Sequence, residues 1–91
     1  MAVYIITYDL KGETDGQAYQ KLISLIKEEQ VWACLGESSY LICSNQTAVD
    51  LRDKFSSVLK PSDLLYVGVV NAPAAWHGFS KEVSNWIKEK L

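Results

Sequence analysis

The chain opens on Ala2-Val3-Tyr4-Ile5-Ile6-Thr7-Tyr8-Asp9-Leu10, an almost unbroken apolar run that closes on one carboxylate. β-Branched and aromatic residues without a turn former predict a strand buried on both faces. The polar stretch Lys11-Gly12-Glu13-Thr14-Asp15-Gly16 follows. Thr14, with Gln17 three residues on, has the form of a capping box, so a helix should begin near Asp15 or Gly16. Tyr19, Leu22, Ile23 and Ile26 then recur at helical spacing, opposite Gln20, Lys21, Ser24, Lys27 and Glu28, and the helix should end near Glu29. Gln30-Val31-Trp32-Ala33-Cys34-Leu35 predicts a second strand, Gly36-Glu37 a turn, and Ser38-Ser39-Tyr40-Leu41-Ile42-Cys43 a third strand alongside it. Ser44-Asn45-Gln46-Thr47 is a second polar cap. The helix it opens carries Ala48, Leu51, Phe55 and Val58 or Leu59 on one side and Asp50, Arg52, Asp53 and Lys54 on the other, and Pro61 forbids its continuation. Leu64-Leu65-Tyr66-Val67-Gly68-Val69-Val70 predicts a fourth strand with the doubly buried look of the first, and Gly68 within it signals a bulge or a close neighbour.

This order, β-α-β-β-α-β, is the split βαβ or ferredoxin-like α+β pattern. Right-handed crossovers would place the first and third strands in the middle of a four-stranded antiparallel sheet, with both helices on one face. Beyond this core of residues 1–70, Ala72-Pro73-Ala74-Ala75-Trp76-His77-Gly78-Phe79 is an aromatic loop. Ser80 then caps a C-terminal helix with Val83, Trp86, Ile87 and Leu91 on one side, so residues 71–91 complete a single domain over 1–91. Two helices cover one sheet face only. The other face needs either the C-terminal helix or a second copy of the chain, and a homodimer braced by that helix is the expected solution.

Composition narrows the function classes. A chain of 91 residues buries only roughly 60–65% of its unfolded surface, so a partner that covers apolar area would stabilise it. Three Trp and five Tyr exceed what one small core readily hides and point the same way. The net charge is −2, the basic residues are scattered among acids, and Arg52 is the sole arginine, which counts against a dedicated nucleic-acid binder and leaves a protein partner as the alternative. No apolar stretch approaches the ~20 residues that span a bilayer and no signal core follows the start, so a cytoplasmic protein is expected. Cys34 and Cys43 both sit in apolar contexts and read as reduced core thiols; with one histidine, a zinc site is not supported.

Asp9 leads the candidate chemistry, because it stands where the first strand should leave the sheet. A hard cation such as Mg²⁺ or Mn²⁺ needs few protein oxygens, so one Asp9 from each of two protomers plus substrate phosphate oxygens could hold it. The ion would then lower the pKa of a bound water. The competing reading makes Asp9 an acceptor for the turn amides of Lys11 and Gly12. His77 lies far along the chain from Asp9, and Ser38 and Ser39 have no base in view, so they read as turn and strand-edge residues. Arg52 and Asp53 are adjacent and do not share a helix face, so Arg52 is expected to reach Asp63 or a partner instead. Trp32, Trp76, Phe79 and Trp86 lack the basic residues of a nucleobase-stacking platform and read as packing residues.

Several of these segments carry a family resemblance. Tyr4-Ile5-Ile6-Thr7-Tyr8-Asp9-Leu10 and Glu37-Ser38-Ser39-Tyr40-Leu41-Ile42 resemble the first and third strands of the small CRISPR adaptation proteins of the Cas-two type and of the VapD-type ribonucleases. Trp32, Arg52-Asp53, Asp63 and Ala74-Ala75-Trp76 are similar to small bacterial and phage proteins grouped as the SinR family. The resemblance implies a ferredoxin-like homodimer. It also implies, if the chain is an enzyme, a metal-dependent ribonuclease or nuclease with Asp9 as its catalytic and metal-binding residue and Mg²⁺ or Mn²⁺ as cofactor. The chain departs from that pattern in lacking Arg-rich helix starts and an extra C-terminal strand. The competing class is a non-enzymatic binding or regulatory module that keeps the fold.

Overall fold

The computed structural model describes residues 1–11 and 16–91. Their elements run β1 (Ala2–Asp9), α1 (Gln17–Lys27), β2 (Trp32–Gly36), β3 (Ser39–Ser44), α2 (Ala48–Ser56), β4 (Leu64–Val69) and α3 (Lys81–Lys90). The four strands form one antiparallel sheet in the order β2-β3-β1-β4. The fold is therefore α+β, ferredoxin-like, with an added C-terminal helix, as the hydrophobic pattern predicts.

Local chemistry sets the helix starts. Thr47 and Ser80 stand in extended conformation before α2 and α3, and their hydroxyls accept the amides of Asp50 and Val83 at 3.1 and 3.2 Å. Each satisfies one of the amides that a first helical turn leaves without a partner. α1 instead starts after Gly16 at φ 81°, a conformation that glycine adopts without steric cost. The capping-box partner Thr14, and the turn residues from Gly12 to Asp15, lie outside the described residues.

β1 feeds two cores. Its even-numbered residues Tyr4, Ile6 and Tyr8 pack with Tyr40 and Ile42 of β3 against Leu22 and Ile26 of α1 and Leu51 and Phe55 of α2. Both of these helices therefore lie on one sheet face. Val3, on the other face, joins Leu41, Cys43 and Ile87 of α3, with Ile5, Val70, Trp76, Phe79, Val83 and Trp86 around them. The C-terminal helix, one of the two expected covers, thus closes the part of the second face where β3, β1 and β2 meet. Trp76 anchors the preceding loop by donating its indole N–H to Ser84 Oγ at 3.0 Å.

An ion pair ties the helices on the first face together. The Glu29 side chain, only 6% exposed, accepts Lys54 Nζ at 2.7 Å and Gln46 Nε2 at 3.2 Å. It joins the segment after α1 to α2, and leaving such a carboxylate without its partners would be costly.

The doubly buried expectation holds for β1 and fails for β4. Leu64 and Tyr66 are more than half exposed because β4 ends the sheet and α3 does not reach it, and Val69 is as exposed on the opposite face. Gly68 does have its close neighbour: the Tyr66 ring lies over it, 2.7 Å from where a Cβ would stand.

The second core makes α3 an integral part of the fold. Ile87 is 4% exposed, and truncating a buried isoleucine to alanine costs about 2–5 kcal/mol. Ile87→Ala should therefore lower the melting temperature by roughly 10 °C or more in a domain of this size. A thermal melt followed by circular dichroism checks it, and an unchanged midpoint would remove α3 from the core.

Candidate functional site

Asp9 closes β1 opposite Leu64 on the side of the sheet that carries α3, beyond the reach of that helix. Its side chain is 59% exposed, and Lys11 Nζ lies 3.2 Å from Oδ2. Thr7 and Ser39 share this open part of the face, where Ser39 Oγ and Thr7 Oγ1 stand 3.3 Å apart. Among the described residues no three His, Cys, Asp or Glu side chains group to hold a metal ion. An ion shared by two copies of Asp9 would have to be gripped across two such faces. Stacked sheets lie about 10 Å apart, and α3, about 10 Å thick itself, stands on each face.

The other candidates disperse. His77 is exposed in the loop before α3. Ser38 offers its backbone carbonyl to the Tyr8 amide at 3.1 Å, and Ser39 pairs in the β3 ladder, so both hold the strand end as expected. Arg52 departs from expectation: its Nε and Nη2 donate to Asp53 Oδ1 at 3.1 and 2.8 Å. The facing rule concerns Cβ directions, and the long arginine stem folds back to its neighbour instead of bonding Asp63. The Asp63 carboxylate accepts the Lys60 amide at 2.8 Å. Trp32 packs beside Tyr40, ring centroids 5.9 Å apart, under the Lys27 ammonium at 4.7 Å. Trp76, Phe79 and Trp86 pack on the second core, as their lack of basic neighbours suggests.

The cysteines divide. Cys43 is buried, but Cys34 is exposed, a correction to its reading as a core thiol. β2 is an edge strand, and one flank of an edge strand meets no neighbour however apolar its sequence. The Cys34 thiol donates to the Gly36 carbonyl at 3.3 Å and adjoins two core tyrosines. Burial, above all, and then the hydrogen bond with Cys34 and the charges of Cys34 and Tyr8 push the Tyr40 phenol up to about 12. Burial also raises Tyr8, helped by Cys34 and Tyr19, and its hydroxyl donates to the Glu37 carbonyl at 3.3 Å.

The surface that sequence reasoning missed is the β4 edge. Val70 gives its amide to Val3 at 2.9 Å. By the alternation of an antiparallel ladder, Leu64, Tyr66, Gly68 and Val70 therefore bond β1, while the amides and carbonyls of Leu65, Val67 and Val69 point away from the sheet. Beside them a shallow groove runs between β4 and α2, lined by Ala48, Val49, Arg52, Leu65, Tyr66 and Val67. Val49 is 55% exposed and adds to the apolar surface of Val69 on the α2 side, while Leu64 and Tyr66 are exposed on the other face. The sequence signal was the uncharged run itself, read as burial.

No protein-family model matches the chain, and no curated protein is significantly similar to it. Among the described residues, no helix is long and apolar enough to cross a membrane.

The tyrosine shifts fix an alkaline limit. Tyr40 and Tyr8 hold their protons in the folded chain above the ordinary value of 10.0 at which the unfolded chain loses them. The folded state thus binds more protons between about pH 10 and 12, and stability falls as pH rises through that window. Below pH 10 both states are protonated and this contribution is constant. Urea unfolding midpoints across the alkaline range should decline accordingly, and Tyr40→Phe should flatten the decline; an equally steep decline in the variant would overturn the assignment.

Proposed function

We propose that this chain is a non-enzymatic protein-interaction module that works through the open β4 side of its sheet. One observation carries the reading: β4 is an uncharged apolar edge strand whose outward amides and carbonyls at Leu65, Val67 and Val69 stand beside exposed Leu64, Tyr66 and Val69. Such an edge is a template for another strand, and soluble proteins normally blunt it with charge, proline or a bulge. Backbone bonds along an edge give affinity, while alternate side chains entering a neighbouring groove give selectivity. The groove against α2 lies on the same side as Leu65 and Val67.

The resemblance to Cas-two-type proteins supplies a second reading, a metal-dependent nuclease built on Asp9 of two protomers. The observation in its favour is the exposure of Asp9 at the strand end. Against it stand the absence of a metal-holding group of side chains among the described residues, the ion pair of Asp9 with Lys11 and the presence of α3 on the face that two protomers would have to share.

Two measurements separate the readings. Titrating an alternating Val-Thr peptide into the protein should shift the backbone amide NMR signals of Leu65, Val67 and Val69 saturably, and leave those of β2 in place. Incubation with Mn²⁺ should leave single-stranded RNA and duplex DNA uncut. In a chain that sedimentation shows to be monomeric, peptide addition without shifts at these amides would sink the edge-binding module. Metal-dependent cleavage lost in Asp9→Asn would replace it with the nuclease.

A further inference from the structure

The geometry points to a second copy of this chain as the partner of β4, paired antiparallel to it about a two-fold axis at Val67, so that two four-stranded sheets become one. The inference rests on the edge-binding reading above and adds the identity and register of the occupant.

Strand polarity allows the pairing. The outward-facing residues Leu65, Val67 and Val69 are spaced symmetrically about Val67. A two-fold there sets Val67 opposite Val67 of the second copy, and Leu65 opposite its Val69. Each opposed pair exchanges both of its N–H···O=C bonds, so every outward amide and carbonyl of the three residues in both strands is satisfied. Registers displaced to either side leave an outward residue of each strand unpaired.

Side chains select the same register. It brings Tyr66 opposite Gly68 of the second copy. Within one strand the Tyr66 ring already lies across Gly68, where a Cβ would be 2.7 Å away. A glycine opposite is the residue that leaves such a flattened ring room, and aromatic cover is a known remedy for a bare strand glycine. On the other face the register sets Leu65 and Val69 in direct cross-strand contact. Leu64–Val70 carries no charge, so no like charges oppose one another across the pairing. The groove beside β4 would receive apolar side chains of the incoming strand against Ala48 and Val49. Arg52 and Asp53 present one charge of each sign on the exposed side of α2, and a two-fold mate meets them with the same mixed pair. A foreign strand could satisfy the same backbone groups; the Tyr66–Gly68 complement and the absence of opposed charge are what a second copy brings without further requirement.

Sedimentation equilibrium of the full chain at rising micromolar concentration, with Cys34→Ser to exclude adventitious disulfides, tests the inference. The expected result is a monomer–dimer equilibrium that Val67→Pro weakens by roughly tenfold or more. That substitution removes an amide which makes no bond to β1, and Tyr66→Lys, at an exposed site, gives a second edge-blocking variant that leaves the core intact. Under oxidation, Val67→Cys should cross-link to itself, since directly opposed Cα atoms lie about 5.5 Å apart. Leu65→Cys should not, with its own mate about 13 Å away. A chain that stays monomeric, a dimer indifferent to both edge variants, or cross-linking at position 65 in place of 67 would each overturn the self-pairing. The Val-Thr peptide then decides the broader reading: amide shifts in a monomeric chain keep the edge-binding module and discard only the second copy as its occupant.

Discussion

Everything in this small fold hangs on β1 being a strand with two useful faces. Ile6 is fully buried and Tyr4 and Tyr8 nearly so, on the side where α1 and α2 dock, while Val3 is buried against α3 on the other. A chain of 91 residues cannot build two independent cores from separate sheets. It builds them back to back on one strand, flanked on both sides by the β3 and β4 ladders. The tyrosines extend this control to the loops. Tyr4 Oη donates to the Gln46 carbonyl at 2.7 Å and Tyr8 Oη to that of Glu37, so the two ends of β3 are pinned by hydroxyls from the strand beside it. Each ring contributes apolar area to the core and still places its polar atom on a partner.

Much of this architecture is legible along the chain. The element order follows from switches of hydrophobic period, and Thr47 and Ser80 mark helix starts because a hydroxyl before an apolar-periodic run has a defined task there. Gly68 signals a close approach, and the Tyr66 ring makes it. Periodicity does not carry sheet position, and the crossover rule that correctly places β1 and β3 in the middle does not say whether an apolar edge strand is covered. Leu64–Val70 and Ala2–Tyr8 look alike as strings, yet one lies at the sheet edge and the other at its centre. An apolar run records that a residue gains from burial, without stating whether the burial is supplied within the same chain. Cys34 fails for the same reason, since its apolar neighbours sit in the other edge strand. Asp9 is a different case: the sequence shows the carboxylate at the strand end, but its surroundings depend on which residues three-dimensional packing brings beside it. Among the described residues these include Lys11 and the end of β4.

The two sheet edges are treated differently. β2 has five residues, a register shift between Cys34 and Gly36, a lysine over its Trp32 and α3 packed close by. Shortness, irregular pairing and a covering element are the devices by which proteins keep an edge from recruiting strands. β4 has α2 against one of its faces but no register shift. It runs six residues in unbroken register with β1, carries no charge and exposes Leu64, Tyr66 and Val69. A fold under general pressure against aggregation would have blunted both edges alike. Protection of one and openness of the other is the asymmetry that the proposed strand addition at β4 would use. The same asymmetry sets the place of α3: it shields the β2–β3–β1 side of the second face, completes the core there, and stops short of β4.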